Sequence, residues 1–184
     1  WDALFEAHRR EHARHYGRVR LDLPIEAPDE PTDLRMRQRR DGRADPGLTL
    51  LYFNFGRYLL ISSSRPGTMP ANLQGLWAEG IQTPWNCDYH IDINVQMNYW
   101  PAEMTGLGDC HTPLLKLIES LQEPGAETAR VYYNADGWVA HVITNVWGFT
   151  APGEHTCHAY RGQRQWHTGL AAGQCCAGVH GIHI

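Results

Sequence analysis

The sequence lacks several features that would indicate common classes of protein function. No apolar run approaches the length of about 20 residues that a membrane-spanning helix needs, and the N-terminus shows no charged start followed by an apolar signal core. The net charge is only −4, with 16 basic and 20 acidic residues. Such a balance gives no strong field of one sign. We therefore expect neither a membrane nor a nucleic acid as a partner.

One Arg-rich segment could suggest a nucleic-acid contact. Arginines at 35, 37, 39, 40 and 43 alternate with aspartates at 33, 41 and 45. Because the two signs are interleaved at helical spacing, the pattern predicts the solvated face of a short charged helix.

The usual catalytic and metal-binding motifs are missing as well. There is no Gly-rich phosphate loop and no Gly-x-Ser-x-Gly elbow. His8 and His12 are four residues apart on a predicted helix, but the Glu of a His-Glu-x-x-His metal motif is missing. The five cysteines show no CxxC spacing and no paired ligand pattern; they lie at positions 87, 110, 157, 175 and 176. We expect no metal and no other cofactor, and neither the cysteines nor the N-terminus indicates a cellular compartment.

What the sequence does contain is a dense polar and aromatic stretch at 84–103, PWNCDYHIDINVQMNYWPAE. His, Asp, Asn, Gln and Glu are interleaved there with Trp85, Tyr89, Tyr99 and Trp100. Aromatic planes stack on the apolar faces of pyranose rings, while amides and carboxylates bind the hydroxyl edges. The composition is typical of a carbohydrate-binding surface.

Together with SSSRPGTMPANLQGLW at 62–77, the run YHIDINVQMNYWPAE at 89–103 resembles the catalytic domain of glycoside hydrolase family 95, a group of inverting α-L-fucosidases. The resemblance covers about residues 1–154. It implies hydrolysis of terminal α-linked L-fucose, with a fucosylated oligosaccharide or glycan as substrate. The family's catalytic unit is larger than this chain, so the resemblance also implies a fragment that lacks the remainder of its domain.

The periodicity of the sequence predicts helices joined by long loops. Apolar residues recur at helical spacing and turn residues separate the segments, and alternating strand patterns are few. The predicted helices cover 1–16, about 32–40, 48–62, about 93–104, 113–121 and 125–132. Residues 48–62 are apolar nearly all round and predict a buried helix. The fold class is therefore all-α, and the resemblance implies an incomplete (α/α)6 barrel.

The resemblance also assigns the catalytic positions. An inverting glycosidase needs a proton donor on one side of the bond and a base-activated water on the other. In this family two asparagines spaced Asn-x-Asn hold the water, and here the matching positions read Asp92-Ile93-Asn94. Asn94 matches, whereas Asp92 departs from the expected asparagine, and its carboxylate could accept the proton itself. The alternative is that Asp92 caps a helix starting near Ile93.

Further residues are candidates for substrate binding. By the resemblance, His90 lines the sugar pocket; its alternative is a hydrogen-bonded core or surface histidine. For the aromatic candidates the alternative is a core position. Glu103 is not assigned as the general acid, because the family's acid lies further down the chain. The substrate-binding candidates are His90, Asn72, Gln74, Trp77, Trp85, Gln96, Asn98 and His141.

The last segment, 155–184, differs from the rest. It contains no acidic residue and shows neither helical nor strand periodicity. We interpret 1–154 as part of the catalytic domain and 155–184 as an anomalous tail, such as a frameshift would produce. Because the family's general acid is not found, the chain alone is expected to be inactive. A noncatalytic sugar-binding remnant and an unstable pseudogene product are the alternatives.

Overall fold

A computed structural model of the chain describes residues 1–26, 28–81 and 83–152, apart from the side chains of Pro84 and Trp85. The prediction of a mostly helical chain is confirmed for these residues. The elements are α1 (Asp2–Tyr16), α2 (Thr32–Arg40), α3 (Pro46–Ser63), a 3-10 helix (Pro84–Cys87), β1 (Tyr89–His90), α4 (Asn94–Tyr99), α5 (Pro101–Met104), α6 (Gly108–Ser120), α7 (Gln122–Tyr133) and β2 (Ile143–Thr144). Within the described ranges, no helix combines the length and apolar character that crossing a membrane requires. The predictions for 155–184 lie outside the described residues.

Helix α3 begins at Pro46 because Asp45 caps it. The Asp45 carboxylate accepts a hydrogen bond from Leu48 N at 3.2 Å, and Pro46 occupies the first helical position, where its missing N–H costs nothing. The prediction that this helix is buried nearly all round was wrong. Tyr52 is 80% exposed and Phe55 is 50% exposed, whereas Ile61 is only 1% exposed. One face of α3 therefore packs on the core, and the opposite apolar face is open in the described part of the chain.

The first and third helices are joined by a buried arginine. Arg57 on α3 donates hydrogen bonds to the backbone carbonyls of His15, Tyr16 and Val19. The last carbonyls of a helix have no intrahelical donor, and the guanidinium supplies one at the end of α1. Its cation also lies 5.0 Å from the ring centroid of Tyr16. Arg57 thus fixes the amphipathic helix α1 against α3.

The sequence predicted that the Arg-rich segment is a solvated helix face. This prediction was wrong for Arg35. Arg35 is 8% exposed and pairs with Asp45, which is 7% exposed. Two guanidinium nitrogens of Arg35, Nε and Nη2, donate to the two carboxylate oxygens at 2.8 and 3.0 Å. This fork-to-fork geometry is the strong form of the pair, and it sets α2 at the start of α3.

The predicted helix 93–104 is divided in the structure. Helix α4 ends at Tyr99 and α5 begins at Pro101, which has no N–H to continue the ladder. The main hydrophobic core forms around α4 and α6, where the Trp100–Pro101 corner brings Ala102 and Leu107 to complete burial. Its members are Leu60, Ile61, Ala71, Tyr89, Ile91, Val95, Tyr99, Ala102, Leu107, Cys110, Leu114, Leu117, Leu121 and Ala140.

A short strand pair, which the periodicity did not predict, holds the central motif in place. Strands β1 and β2 are antiparallel, with Tyr89 opposite Thr144 and His90 opposite Ile143. The pairing continues through Ile91 N, which donates to Val142 O at 2.8 Å. These few hydrogen bonds hold the chain immediately before Asp92.

Candidate active site

The turn between β1 and α4 carries the two predicted catalytic residues. After the strand pair ends at Ile91, the chain turns through Asp92 and Ile93, and α4 begins at Asn94. The side chains of Asp92 and Asn94 are both exposed. The segment between a short strand and a helix therefore presents an acid and an amide, two residues apart, to solvent.

Asp92 does not cap α4. The N-cap residue is Ile93, and no side chain caps the helix there. Asp92 Oδ1 instead accepts a hydrogen bond from the neighbouring Ile93 N at 3.0 Å. The capping alternative is therefore wrong for this carboxylate.

The loop after α3 is organised by Asn72. Its side-chain oxygen accepts from Gln74 N at 2.9 Å, and its side-chain nitrogen donates to Cys87 O at 3.0 Å. Its backbone carbonyl accepts from the side chain of Asn98 at 2.9 Å. Through these contacts Asn72 and Asn98 have a structural role, because they attach loop 70–77 both to the 3-10 helix and to α4.

Trp77 is held in the same loop by a glycine. Gly75 has φ +68°, and a Cβ added there would lie 2.5 Å from the six-membered ring of Trp77. Only glycine accommodates both the left-handed backbone and the ring. Trp77 remains 46% exposed, so part of its surface is available for stacking, and the half-buried Gln74 lies in the same turn.

The side chain of Trp85 lies outside the described residues, although its backbone belongs to the 3-10 helix Pro84–Cys87. In that helix Asn86 and Cys87 have φ values of +54° and +58°. Two consecutive non-glycine residues in the left-handed region store backbone strain. Because Cys87 O accepts a hydrogen bond from the side chain of Asn72, this strained segment is attached directly to loop 70–77.

Gln96 supports the turn that carries the candidate catalytic residues. Its side-chain nitrogen donates to Ile91 O at 2.7 Å, the carbonyl that immediately precedes Asp92. Gln96 also lines a mainly apolar groove of about 380 Å³ together with Trp100, Leu114 and Trp138. The side chain therefore braces the β1–α4 turn.

The two candidate histidines are both buried. His90, in β1, is 9% exposed. His141 is 3% exposed, and its two ring nitrogens lie 2.6 Å from Thr150 O and 2.5 Å from Tyr133 Oη. A carbonyl can only accept, so Nδ1–H of His141 donates to Thr150 and Nε2 accepts from the Tyr133 hydroxyl. His141 therefore fastens the end of α7 to the chain after β2, as a core histidine does.

Two aromatics of the central run belong to the core and not to an open sugar surface. Tyr89 is 4% exposed and Tyr99 is 3% exposed, whereas Trp100 is 60% exposed. Burial raises the pKa of the Tyr89 phenol to about 12 and also raises that of Tyr99. The helical spacing of Val95, Tyr99 and Ala102 is the signal that could have identified Tyr99 as a core residue.

Other acidic and metal-binding possibilities are limited in the described chain. Glu103 Oε1 lies 2.9 Å from His111 Nδ1 in a pair that is largely exposed on the glutamate side. Among the residues that the structure describes, no group of three or more His, Cys, Asp or Glu side chains could hold a metal ion. The turn thus offers a carboxylate and an amide, and loop 70–77 offers the exposed ring of Trp77.

Comparison with known proteins supplies an independent line of evidence. Residues 1–172 match the family model for the glycosyl hydrolase family 95 catalytic domain, which extends past residue 154, where the resemblance in the sequence ended. An alpha-L-fucosidase 2 from Arabidopsis thaliana is 41% identical over 155 residues, covering 81% of this chain and 18% of the relative. A probable alpha-fucosidase A from Aspergillus niger is 42% identical over 156 residues, covering 82% and 19%.

The corresponding protein of Aspergillus oryzae, also named a probable alpha-fucosidase A, is 42% identical over 137 residues, covering 71% of this chain and 19% of the relative. The chain thus spans about a fifth of the length of the curated relatives it matches.

Proposed function

Because the chain belongs to the glycosyl hydrolase family 95 catalytic domain family, we propose that it is part of an inverting glycosidase that removes terminal α-linked L-fucose from oligosaccharides. The relatives named as fucosidases support the choice of sugar. The observation that carries the proposal is the exposed Asp92-Ile93-Asn94 turn, which the strand pair and Gln96 hold in place. The acid–amide pair presented there is what activating a water requires.

In this proposal the turn performs the water side of the reaction. Inversion requires a water on the ring face opposite the leaving group. The amide oxygen of Asn94 orients this water, and the carboxylate of Asp92 accepts its proton as the oxygen attacks the anomeric carbon. Oδ1 of Asp92 accepts one hydrogen bond from Ile93 N, and the carboxylate keeps further acceptor sites for the proton of the water.

The leaving oxygen needs a proton from a separate acid. Glu103 is paired with His111, and we assign no described residue to this role. Residues 155–184 contain no acidic residue, so in this proposal the general acid comes from a part of the domain that these 184 residues do not include. The 184-residue chain by itself is then expected to release no fucose from a 2′-fucosyl oligosaccharide.

The sugar ring itself would be recognised beside the turn. Trp77 offers an exposed aromatic surface for stacking on a pyranose face, and loop 70–77, which carries it, is tied to α4 through Asn98. His90, directly before the turn, lines the pocket and contributes to the choice of sugar. We further infer that these helices belong to an (α/α)6 barrel, with the open apolar face of α3 covered by other helices of the barrel.

A titration with L-fucose tests the proposed sugar site. We expect saturable binding by the 184-residue chain in ligand-observed NMR, and a loss of affinity of about tenfold in Asn94→Ala, since the water-mediated hydrogen bond between its amide and the sugar is removed. Gln122→Ala, which truncates an exposed amide at the start of α7, is the matched control and should bind like the wild type. Equal binding by all three proteins would contradict the assignment of Asn94.

A noncatalytic sugar-binding remnant is the second candidate. It is favoured by one observation, that no described residue is suited to be the general acid. It predicts the same binding but no gain of hydrolysis when the chain is joined to the rest of a family catalytic domain. The third alternative, an unstable pseudogene product, predicts that the isolated chain aggregates through the open apolar face of α3.

A further inference from the structure

Two buried tyrosine hydroxyls hold one peptide group of loop 70–77, an arrangement that we call the clamp. The hydroxyl of Tyr89 donates to Pro70 O at 3.1 Å. The hydroxyl oxygen of Tyr99 accepts from Ala71 N at 2.7 Å. Pro70 O and Ala71 N belong to the same peptide unit, so both its carbonyl and its N–H are fixed. Since such a unit is planar and stiff, these two bonds define its position and its orientation.

A second layer of hydrogen bonds fixes the direction of the Tyr99 bond. Ser64 Oγ lies 2.7 Å from the Tyr99 hydroxyl and 2.7 Å from Cys110 O. A carbonyl only accepts, so Ser64 donates to Cys110 and Tyr99 donates to Ser64. The resulting chain runs from Ala71 N–H through Tyr99 and Ser64 to Cys110 O. It connects the loop with α4, the end of α3 and α6, and each hydroxyl proton has one destination.

The two tyrosines flank the candidate catalytic turn. Tyr89 directly precedes His90, and Tyr99 is the last residue of α4, the helix that begins at Asn94. The clamped peptide directly precedes Asn72, which starts the turn that carries Trp77. The two hydrogen bonds therefore connect the loop that carries Trp77 with the residues on either side of the Asp92–Asn94 turn.

From this geometry we infer that Tyr89 and Tyr99 are positioning residues: their hydroxyls hold the Pro70–Ala71 peptide so that loop 72–77 and the Asp92–Asn94 turn face one sugar. This inference rests on the proposed function of that site. Neither hydroxyl is required to touch the substrate, because both side chains are almost fully buried.

The clamp is suited to work over a wide pH range. Burial raises the pKa of Tyr89 to about 12 and raises that of Tyr99. Both phenols therefore keep their protons near neutral pH, and Tyr89 remains a donor to the Pro70 carbonyl.

Two substitutions test the clamp directly. Tyr89→Phe and Tyr99→Phe each remove one hydroxyl while keeping the ring that packs in the core. We expect each to weaken L-fucose binding by up to about tenfold, because the loop is then in its binding position for a smaller fraction of the time, and to shift the amide NMR signals of residues 71–75. Thr128→Val is the matched control, because it removes a buried hydroxyl bonded to Thr150 at 2.7 Å. It should change neither affinity nor those signals.

A measurement on the unmodified chain keeps the test decisive if a variant does not fold. The clamp predicts that the Ala71 amide exchanges its hydrogen as slowly as the core amides of α6. Exchange as fast as that of an exposed loop amide would overturn the clamp. Wild-type binding of L-fucose with unchanged affinity in both folded Phe variants would overturn the positioning role alone. A failure of the wild-type chain to bind L-fucose would overturn the proposed function and this inference together.

Discussion

At the scale of single residues, chemical type and environment have to be separated. The spacing of Asp92 and Asn94 could be read from the sequence, and both side chains are exposed at the turn. Tyr89 and Tyr99 were grouped with sugar-stacking aromatics, yet they are core residues with hydroxyls bonded to the loop. Composition cannot show which face of a short segment is buried, because that depends on helices far away in the sequence. This is why the roles of Asn72 and Asn98 as loop fasteners could not be foreseen either.

The position of Asp92 outside the helix cap gives a stability prediction. Asp92→Ala should change the free energy of unfolding by no more than about 0.5 kcal/mol, as is usual for an exposed side chain. A true N-cap aspartate would cost about 1 kcal/mol. Urea unfolding followed by circular dichroism distinguishes the two. Asp45→Ala, which removes both the observed cap of α3 and the buried pair with Arg35, is the positive control and should lose more than a cap alone. A loss of about 1 kcal/mol in Asp92→Ala would restore the capping role.

At the scale of elements, the sequence predicted the presence of the helices more accurately than their first and last residues. The amphipathic spacing gave α1 at 1–16, and the structure has Asp2–Tyr16. The start of α6 was placed at Thr112 and Pro113, but the helix begins at Gly108. Burial explains the difference, since Leu107 and Cys110 are completely buried and packing extends the helix back toward them. The β1–β2 pair was missed because two-residue strands have no measurable period.

The junction of α2 and α3 gives a prediction about acid. The hydrogen bond from Arg35 holds the pKa of Asp45 below its ordinary value, which is about 3.9. A lowered carboxyl pKa contributes stability above the ordinary pKa, and this contribution is lost as the pH falls through the lowered one. Asp45→Asn should therefore be less stable than the wild type near neutral pH, and the gap should narrow as the pH falls below about 4.

Urea unfolding between acidic and neutral pH measures this gap. Asp33→Asn is the control, because Asp33 makes only an exposed pair with Arg37 and such pairs contribute little. The control should stay close to the wild type throughout. A gap for Asp45→Asn that is constant with pH would show that the Arg35 pair does not stabilise the junction.

At the scale of the whole molecule, the described chain leaves a large apolar helix face open to solvent. It spans about a fifth of the length of its curated relatives, and α3 presents large apolar side chains such as Tyr52 and Phe55 to solvent. The candidate site contains the proposed water side of the reaction but no assigned acid. The resemblance in the sequence identified the family from two motifs. The position of the general acid could not be predicted, because it depends on a part of the domain outside the described residues.

The most direct test of the central claim is fucose release by a chimera. Residues 1–152 would replace the matching segment of the Aspergillus niger relative, which is 42% identical. We predict that the folded chimera releases L-fucose from a 2′-fucosyl oligosaccharide, and that Asn94→Ala lowers the rate by about a hundredfold or more, as expected for losing a group that positions the reacting water. A folded chimera that releases no fucose, or one in which Asn94→Ala has no effect, would contradict the account.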